Sequence, residues 1–265
     1  MISKAKLKYF QSLSQKKMRE QEGKFLIEGW RTIEEASAAV TAFEALMCTK
    51  DAELRGENAE IFSTAKKKSK ELFEISAREF ASISDTVHAQ GIAAVVRIFA
   101  FDFQEHISRI ARQDSAFVVA LDQIAEPGNM GAIIRTADWF GADAIVLSEN
   151  CVELYNPKVV RATVGSIFHL PIIETNKFAG TIESLKNSGF TLYGAELNGS
   201  KEIQSIRWAK KSAVVIGNEA RGIRPEISSL LDEHAAIPRF GKAESLNAGI
   251  AAGIIFAHRR FQITA

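Results

Sequence analysis

The sequence predicts an α/β protein in which a small N-terminal α/β domain precedes a larger domain built on a parallel sheet. The second half contains continuous apolar runs, such as residues 117–121, 144–147 and 213–216, and helical segments separate them. Parallel strands that helices cover on both faces have this composition. The first half alternates strands with helices, which is typical of a small two-layer unit. With 265 residues, 46% of them hydrophobic, the chain is long enough for two domains of ordinary size.

The pattern also predicts where the domains and their elements lie. We place the first domain at residues 1–100, a linker with one or two helical turns at 101–114, and the second domain at 115–265. The first domain is predicted to contain strands at 24–29, 43–48, 59–62, 71–75 and 91–98 and a helix at 31–39. The second is predicted to contain strands at 117–121, 144–147, 169–173, 191–195, 213–216 and 235–238, and helices at 131–140, 156–167, 177–187 and 225–231 before a C-terminal helix.

Composition excludes several classes of protein. The formal net charge is only +1, so a nucleic-acid partner would have to bind local positive patches. Cys48 and Cys151 are too few for a disulfide framework, and no His/Cys cluster has zinc-ligand spacing, so we expect no metal and a reducing cytoplasm. The N-terminal segment lacks an apolar signal core, and no run of about 18 apolar residues occurs, so we expect neither a signal peptide nor a membrane span.

Two local clusters in the first domain are strongly positive. Residues 4–19 carry six basic side chains and no acid, and residues 66–70 carry four lysines. Such a run is more often a solvated helix face than a binding site. Both clusters nevertheless have the composition of surfaces that bind phosphates while specificity comes from elsewhere.

Three loops follow apolar strands of the second domain, at the strand ends where ligands of parallel sheets bind. The first, residues 122–131, contains Asn129 as the predicted N-cap of a helix that carries Arg135. The second, residues 217–222, has glycine at both ends and is neither a Walker loop nor a dinucleotide fingerprint. The third, residues 237–247, leads into the C-terminal helix, for which Ser245 is the predicted N-cap. Each loop alone is compatible with an ordinary strand–helix connection.

Together the three loops resemble the motifs of the SpoU/TrmH family of RNA ribose 2′-O-methyltransferases, within the SPOUT class. The resemblance lies in Asn-Met-Gly-Ala-Ile-Ile-Arg at 129–135, Gly-Asn-Glu-Ala-Arg-Gly at 217–222, and Ile-Pro through Glu-Ser-Leu-Asn at 237–247. Residues 156–165 also look like the family. In the first domain, residues 25–29 and 90–92 resemble the ribosomal-protein-like substrate-binding domain of ribosomal-RNA members.

The resemblance implies a catalytic domain with a trefoil knot, S-adenosylmethionine as methyl donor, an RNA substrate and a homodimer formed through the catalytic domain. It also implies roles for individual residues. Catalytic roles are expected of Arg135, Asn129, Glu219, Ser245 and Asn247, with Glu219 anchoring the Arg135 guanidinium, and donor binding is expected of Ala195, Gly217, Ile237, Ser245 and Leu246. Contacts with RNA are expected of Lys16, Lys17, Arg19, Lys67, Lys68 and Arg161.

The chemistry constrains what Arg135 can do. A guanidinium with a pKa above about 12 is a poor base at neutral pH. We therefore prefer Arg135 as a clamp for phosphate and developing alkoxide over Arg135 as the proton acceptor. One departure from the family is Ala248-Gly249, where the usual member has Val-Ser after the asparagine. This departure removes a hydroxyl and bears on donor affinity or the dimer contact.

Ribosomal RNA is the expected substrate because of the first domain, with transfer RNA as the alternative. A non-catalytic RNA-binding or ribosome-assembly protein on the same fold is a second alternative, which the intact Asn129 and Arg135 disfavour. Base methylation within the same class would need a carboxylate or another base placed against a ring nitrogen.

Overall fold

The computed structural model describes residues 2–53, 58–84, 86 and 89–264. It divides into two compact units. The first comprises Met1–Phe99 with Glu153–His169, and the second comprises Ala100–Val152 with Leu170–Ala265. Residues 153–169, which the sequence analysis grouped with the second domain, therefore pack within the first unit. No helix in the described ranges is both long and apolar enough to cross a membrane.

The first unit is a four-stranded sheet with helices around it. Its strands are β1 (Lys24–Glu28), β2 (Ala45–Cys48), β3 (Leu72–Glu74) and β4 (Ile92–Arg97), in the order β1-β4-β2-β3. Its helices are α1 (Lys4–Ser12), α2 (Lys16–Glu22), α3 (Trp30–Ala39), α4 (Lys50–Glu53), α5 (Ala59–Lys67), α6 (Ala77–Ala81) and α9 (Pro157–Thr163). β4 pairs antiparallel with β1 and β2, and β2 pairs parallel with β3. All of β2 and most of β4 are buried, because helices cover these central strands.

One predicted strand of the first unit is wrong. Residues 59–62 begin α5, which continues to Lys67 and buries Phe62 and Ala65. The spacing of three between these buried side chains is the helical repeat, and the short Ile61-Phe62 pair resembles a strand only when it is taken alone.

The second unit contains a seven-stranded sheet of parallel strands. Its strands are β5 (Ala116–Asp122), β6 (Ala144–Leu147), β7 (Ile172–Glu174), β8 (Thr191–Ala195), β9 (Lys201–Glu202), β10 (Lys211–Gly217) and β11 (Glu233–Ala236), in the order β7-β6-β5-β10-β8-β11-β9. Its helices are α7 (Phe103–Ile110), α8 (Pro127–Trp139), α10 (Phe178–Asn187), α11 (Pro225–Ser228) and α12 (Ala248–Thr264). The central strands β5 and β10 are buried almost throughout, which confirms the expected parallel-sheet architecture.

Several predicted boundaries in the second half of the chain need correction. The predicted linker contains α7, whose Ile107 and Ile110 join the core beneath β5 and β10. The predicted helix 156–167 is instead α9 followed by a 3₁₀ turn at Ser166–Phe168, because Val164 and Gly165 adopt left-handed backbone conformations that end α9. Strand β9 was not predicted, since a polar Lys-Glu pair gives no apolar signal.

Candidate active site

The three loops leave the same edge of the second unit's sheet. In the register of the sheet, Gly217 at the end of β10 pairs with Asp122 at the end of β5. Ala195 at the end of β8 pairs with both Ile216 and Ala235. Parallel strands end at one edge, so the loops after β5, β10 and β11 converge there, as the sequence predicted.

Glu219 joins the second loop to the first. Its carboxylate accepts hydrogen bonds from the backbone amides of Ala125 (3.3 Å) and Glu126 (3.2 Å) and from Nδ2 of Asn129 (2.8 Å). Burial alone would raise the pKa of the Glu219 carboxyl, but these donors lower it below its usual value. The carboxylate is thus held ionised, and its hydrogen bonds are directed to the first loop rather than to Arg135.

Asn129 connects Glu219 to the third loop through a hydrogen bond with Asn247. Its side chain is only 6% exposed, and its Oδ1 accepts a hydrogen bond from Nδ2 of Asn247 at 2.6 Å. Oδ1 of Asn247 in turn accepts the backbone amides of Gly249 (2.9 Å) and Ile250 (3.3 Å). Since a carboxylate only accepts and helix amides only donate, the two ends fix the orientation of both side-chain amides. We call Glu219, Asn129 and Asn247 the amide relay.

The relay corrects both predicted N-caps. Helix α8 is capped by Glu126, whose carboxylate accepts the Asn129 amide at 2.5 Å, and Asn129 lies inside the helix. Helix α12 is capped by Asn247, and Ser245 stands two residues before it as an exposed loop residue. A carboxylate at the start of α8 is also favoured by the positive end of the helix dipole. Both caps lie at the site, so the two helices are fixed in place where the loops converge.

An open cleft with a volume of about 570 Å³ lies against the relay. Its lining consists of Ala125, Glu126, Pro127, Asn129, Glu219, Ser245, Leu246, Asn247 and Ala248. The predicted donor-binding residues Ser245 and Leu246 therefore face the cleft. Ala195, Gly217 and Ile237 lie outside this lining, at or just after the ends of β8, β10 and β11.

The cleft suits an adenosine-type ligand that carries a positive charge. Two carboxylates, Glu126 and Glu219, stand beside apolar Pro127 and Leu246, and the volume is within the range of small-molecule sites. S-adenosylmethionine combines an aromatic base with a cationic sulfonium, so the side chains present fit it. Gly217 is required by the tight turn behind the cleft, because a Cβ on Gly217 would overlap the backbone of Gly222.

Arg135 lies on the exposed side of α8 and forms no hydrogen bond or ion pair with any described residue. The expected anchoring of its guanidinium by Glu219 is therefore absent from the described part of the chain. Helix α12 packs alongside α8, with a Cβ on Gly249 reaching 3.2 Å from Cβ of Ala132 and a Cβ on Gly253 reaching 3.7 Å from Thr136. The guanidinium is thus available to a group from outside this chain.

A second polar cluster, which was not predicted from the sequence, holds the loop after β10. Asp122 is fully buried and accepts Nε of Arg224 at 2.8 Å and the Arg224 backbone amide at 2.9 Å. Arg224 also donates to Glu149 at 2.6 Å. Burial would lower the pKa of the Arg224 guanidinium, but its bonds to Asp122 and Glu149 raise it. An acid that ends an otherwise apolar strand was the available signal.

The predicted RNA-contact residues divide into two groups. Lys16, Lys17 and Lys67 are exposed, and Arg161 is half-buried in the wall of a cavity of the first unit. Arg19 and Lys68 need correction, because both are used internally. Arg19 is 2% exposed and forms an ion pair with Glu153 while donating to the carbonyls of Leu13 and Ser14. The Lys68 ammonium donates to the carbonyls of Ser37 (2.6 Å) and Val40 (3.0 Å) at the end of α3.

A parallel sheet with an open cleft of apolar and polar groups at its carboxyl edge is the architecture of α/β proteins that bind a small-molecule ligand at that edge. In the described ranges, no group of three or more His, Cys, Asp or Glu side chains is arranged to hold a metal ion.

Comparison with known proteins gives the family. Residues 116–257 match the SpoU rRNA Methylase family, and residues 4–94 match the MRM3-like substrate binding domain. The chain is 30% identical over 255 residues to the 23S rRNA (guanosine(2553)-2′-O)-methyltransferase RlmP of Bacillus subtilis, covering 96% of each chain. The chain belongs to the SpoU rRNA methylase family and is therefore an RNA methyltransferase, as the motifs indicated.

Solved structures agree with this assignment. The SpoU methyltransferase AviRb from Streptomyces viridochromogenes, in complex with AdoMet, is 27% identical, with a TM-score of 0.87 over 99% of both chains. An AdoMet-bound rRNA methyltransferase from Sinorhizobium meliloti is 26% identical, with a TM-score of 0.87 over 100% of this chain and 97% of the other.

Proposed function

We propose that this protein transfers a methyl group from S-adenosylmethionine to a ribose 2′-hydroxyl of ribosomal RNA. The observation that carries the proposal is the amide relay, which joins all three loops beside one cleft. The relay fixes the positions of two helix starts and a carboxylate, and such preorganisation is what aligning a donor with an oxygen requires. The MRM3-like match and the Bacillus relative named a 23S rRNA methyltransferase favour ribosomal over transfer RNA.

In the proposed reaction the ribose oxygen attacks the methyl carbon, the carbon–sulfur bond breaks, and the hydroxyl proton leaves to water or phosphate. The donor supplies the methyl group and a neutral thioether leaving group. Glu219 and Glu126 provide negative charge at the cleft, which favours binding of the cationic donor. Ser245 and Asn247 border the space in which the ribose would lie. Ala195, Gly217 and Ile237, at or just after the strand ends of the same sheet edge, are proposed to contact the donor beyond this lining.

We also propose that a second copy of the chain completes the site. The exposed side of α8 and α12 carries Trp139 (83% exposed), Ile250 (57%) and Phe261 (68%), and Arg135 lies among them on α8. Apolar side chains of this size on adjoining helices form a patch that monomers seldom leave uncovered. A self-association through this face would place Arg135 of one protomer at the cleft of its partner, where it clamps phosphate and developing alkoxide. The trefoil knot remains a prediction for the stretch from β10 to α12, and the cytoplasm is the compartment in which we propose the enzyme acts.

The test uses Arg135→Ala, with Arg112→Ala as control, since Arg112 is an exposed arginine in the connection that enters the opposite edge of the sheet. With unmodified ribosomal RNA and radiolabelled donor, we expect Arg135→Ala to keep its fold and its calorimetric donor affinity and to lose at least about a hundredfold in turnover. The control should retain full activity. Near-normal turnover of Arg135→Ala would reject the role. Nuclease digestion and mass spectrometry of the product distinguish sugar from base methylation, and transfer RNA serves as the competing substrate.

Mixed dimers test the trans arrangement. A subunit with Arg135→Ala has an intact cleft. A subunit with Asn129→Asp keeps Arg135 and is expected to lose turnover, because aspartate cannot donate to Glu219 and the relay at the cleft is broken. If Arg135 acts across the dimer, mixing the two inactive proteins restores part of the activity. If it acts within its own chain, no combination of the two recovers turnover.

A further inference from the structure

The third loop carries an aromatic side chain that no part of the proposed methyl-transfer site uses. Phe240 is 95% exposed, more than any other large apolar side chain among the described residues. It lies between Ile237, which follows β11, and Ser245, which lines the cleft. Single exposed apolar residues are common on protein surfaces, so exposure alone would mean little. Here the charges of the loop and its position next to the cleft indicate that the exposed ring contacts a ligand.

Two basic side chains flank Phe240 in its loop, and the acid Glu244 lies four residues after it. Arg239 donates to the carbonyl of Ala243 (3.4 Å), which closes the loop tip, and its side chain remains exposed. Lys242 is exposed and has no hydrogen bond or ion pair with a described residue. Arg221, on the loop after β10 that leaves the same edge of the sheet, is exposed as well. The Phe240 ring makes no aromatic contact within the described ranges.

An uncovered ring beside free cations is the combination that binds single-stranded nucleic acid. The ring stacks on a base, the cations meet the backbone phosphates, and neither contact depends strongly on the base. RNA is favoured over a second copy of this chain as the occupant because a second copy would bring the same positive charges to the same place. It is favoured over the donor because the loop tip projects into solvent, whereas the cleft is lined by Ser245 and Leu246.

We propose that Phe240 is a stacking platform for an unpaired RNA base next to the target nucleotide, and that Lys242 contacts the adjoining phosphate. This inference rests on the proposed function, because it takes the RNA strand to pass the cleft. It adds a contact in the catalytic unit to those expected of the first unit. By stacking a neighbouring base, Phe240 holds the strand so that the ribose faces the donor.

The experiment compares Phe240→Ala, Phe240→Leu and Phe240→Tyr in the full-length protein. Leucine keeps apolar bulk without a ring, and tyrosine keeps the ring. With unmodified ribosomal RNA, we expect the KM for RNA to rise about tenfold to a hundredfold in the Ala and Leu variants, as base stacking predicts, and to stay near normal in the Tyr variant. The calorimetric donor affinity without RNA should be unchanged in all three. A KM that is equally raised in Leu and Tyr, or unchanged in Ala, overturns the proposal.

A binding assay separates this inference from the proposed function. Fluorescence anisotropy with a short labelled oligouridine, and with the same strand carrying abasic sites, reads base stacking without any methyl transfer. The wild type should prefer the strand with bases, Phe240→Ala should lose that part of the preference, and Lys242→Ala should weaken binding to both strands equally. Weaker donor binding in Phe240→Ala would make the residue a lid instead, and a change in oligomeric state would make it a dimer contact. Loss of methyl transfer with base preference intact would count against the proposed reaction alone.

Discussion

Replacing Asn129 by aspartate tests the amide relay with almost no change in shape. Asn129 donates to Glu219 at 2.8 Å, and aspartate would put an acceptor there instead. The loss of one hydrogen bond to a carboxylate costs about 1.5–3 kcal/mol. Two carboxylates about 4 Å apart add a repulsion of about 1 kcal/mol in water and about 4 kcal/mol at an effective dielectric of about 20. Because Glu219 is exposed to solvent at the cleft, we expect the lower part of this range, about 3 kcal/mol in total.

The pH dependence has a definite sign. In the wild type the lowered pKa of Glu219 gives stability that is present above the unfolded pKa and is lost as the pH falls through the folded pKa. In Asn129→Asp the two carboxyls share a proton, so a carboxyl pKa is raised in the folded state. The repulsion between the two carboxylates therefore lowers stability fully at pH values above the raised folded-state pKa. Its effect on stability disappears below the pKa that the carboxyls have in the unfolded chain. Acidification from about pH 8 to about pH 5 should therefore reduce the deficit.

The measurement is denaturant unfolding followed by tryptophan fluorescence. A Trp30→Phe background leaves Trp139 and Trp208, both in the second unit, as the reporters. Asn129→Ala is the matched control, because it removes both relay bonds without adding charge. The reasoning is wrong if Asn129→Asp is no less stable than Asn129→Ala at the higher pH, or if the difference between them does not shrink on acidification.

Two further predictions concern charges whose roles the structure separates. Lys67→Ala should weaken RNA binding in anisotropy assays without changing stability. Lys68→Ala should instead lower the free energy of unfolding by about 1–2 kcal/mol, because the Lys68 ammonium donates to two carbonyls at the end of α3. Equal effects of the two variants on stability would contradict this prediction. Asp122→Asn should destabilise the second unit by about 3 kcal/mol and weaken donor binding, because Arg224 loses the charge of its buried partner. The control Glu226→Gln alters the exposed partner of the same guanidinium and should change stability by less than about 1 kcal/mol. Unfolding curves and calorimetry for the pair check this.

The sequence predicted the buried strands of the second unit and the edge of the sheet where its loops lie. Strands at 144–147 and 191–195 were placed at their observed bounds. Residues 144–147 are an uninterrupted apolar run between helical segments, which favours a buried parallel strand. The convergence of the three loops followed from the rule that parallel strands share one carboxyl edge. These parts of the fold depend on local pattern and on a general topological rule.

What the sequence could not provide was the choice of partner between distant side chains. Asn247 and Asn129 are 118 positions apart, and Arg19 and Glu153 are 134 apart, so no local pattern reveals either pair. Arg19 lies in a basic run that looks like an RNA surface, yet tertiary packing buries it against an acid. Ser245 is a good capping residue by type, but Asn247 takes the cap because its amide also reaches Asn129.

The Ala248-Gly249 departure from the family can be understood from the packing of α12 on α8. A Cβ on Gly249 would lie 3.2 Å from both Cβ of Ala132 and Oδ1 of Asn247, so any side chain there presses on the relay. A Cβ on Gly253 would lie 3.7 Å from Thr136, an ordinary contact. Replacing glycine inside a helix by alanine gains about 0.5–1 kcal/mol in helix propensity. We therefore expect Gly253→Ala to raise the melting temperature and Gly249→Ala to raise it less or to lower it, with weaker donor binding in Gly249→Ala alone. Equal stabilisation by both substitutions would mean that the start of α12 can shift without disturbing Asn247, and the relay would then not be the rigid element from which the site is built.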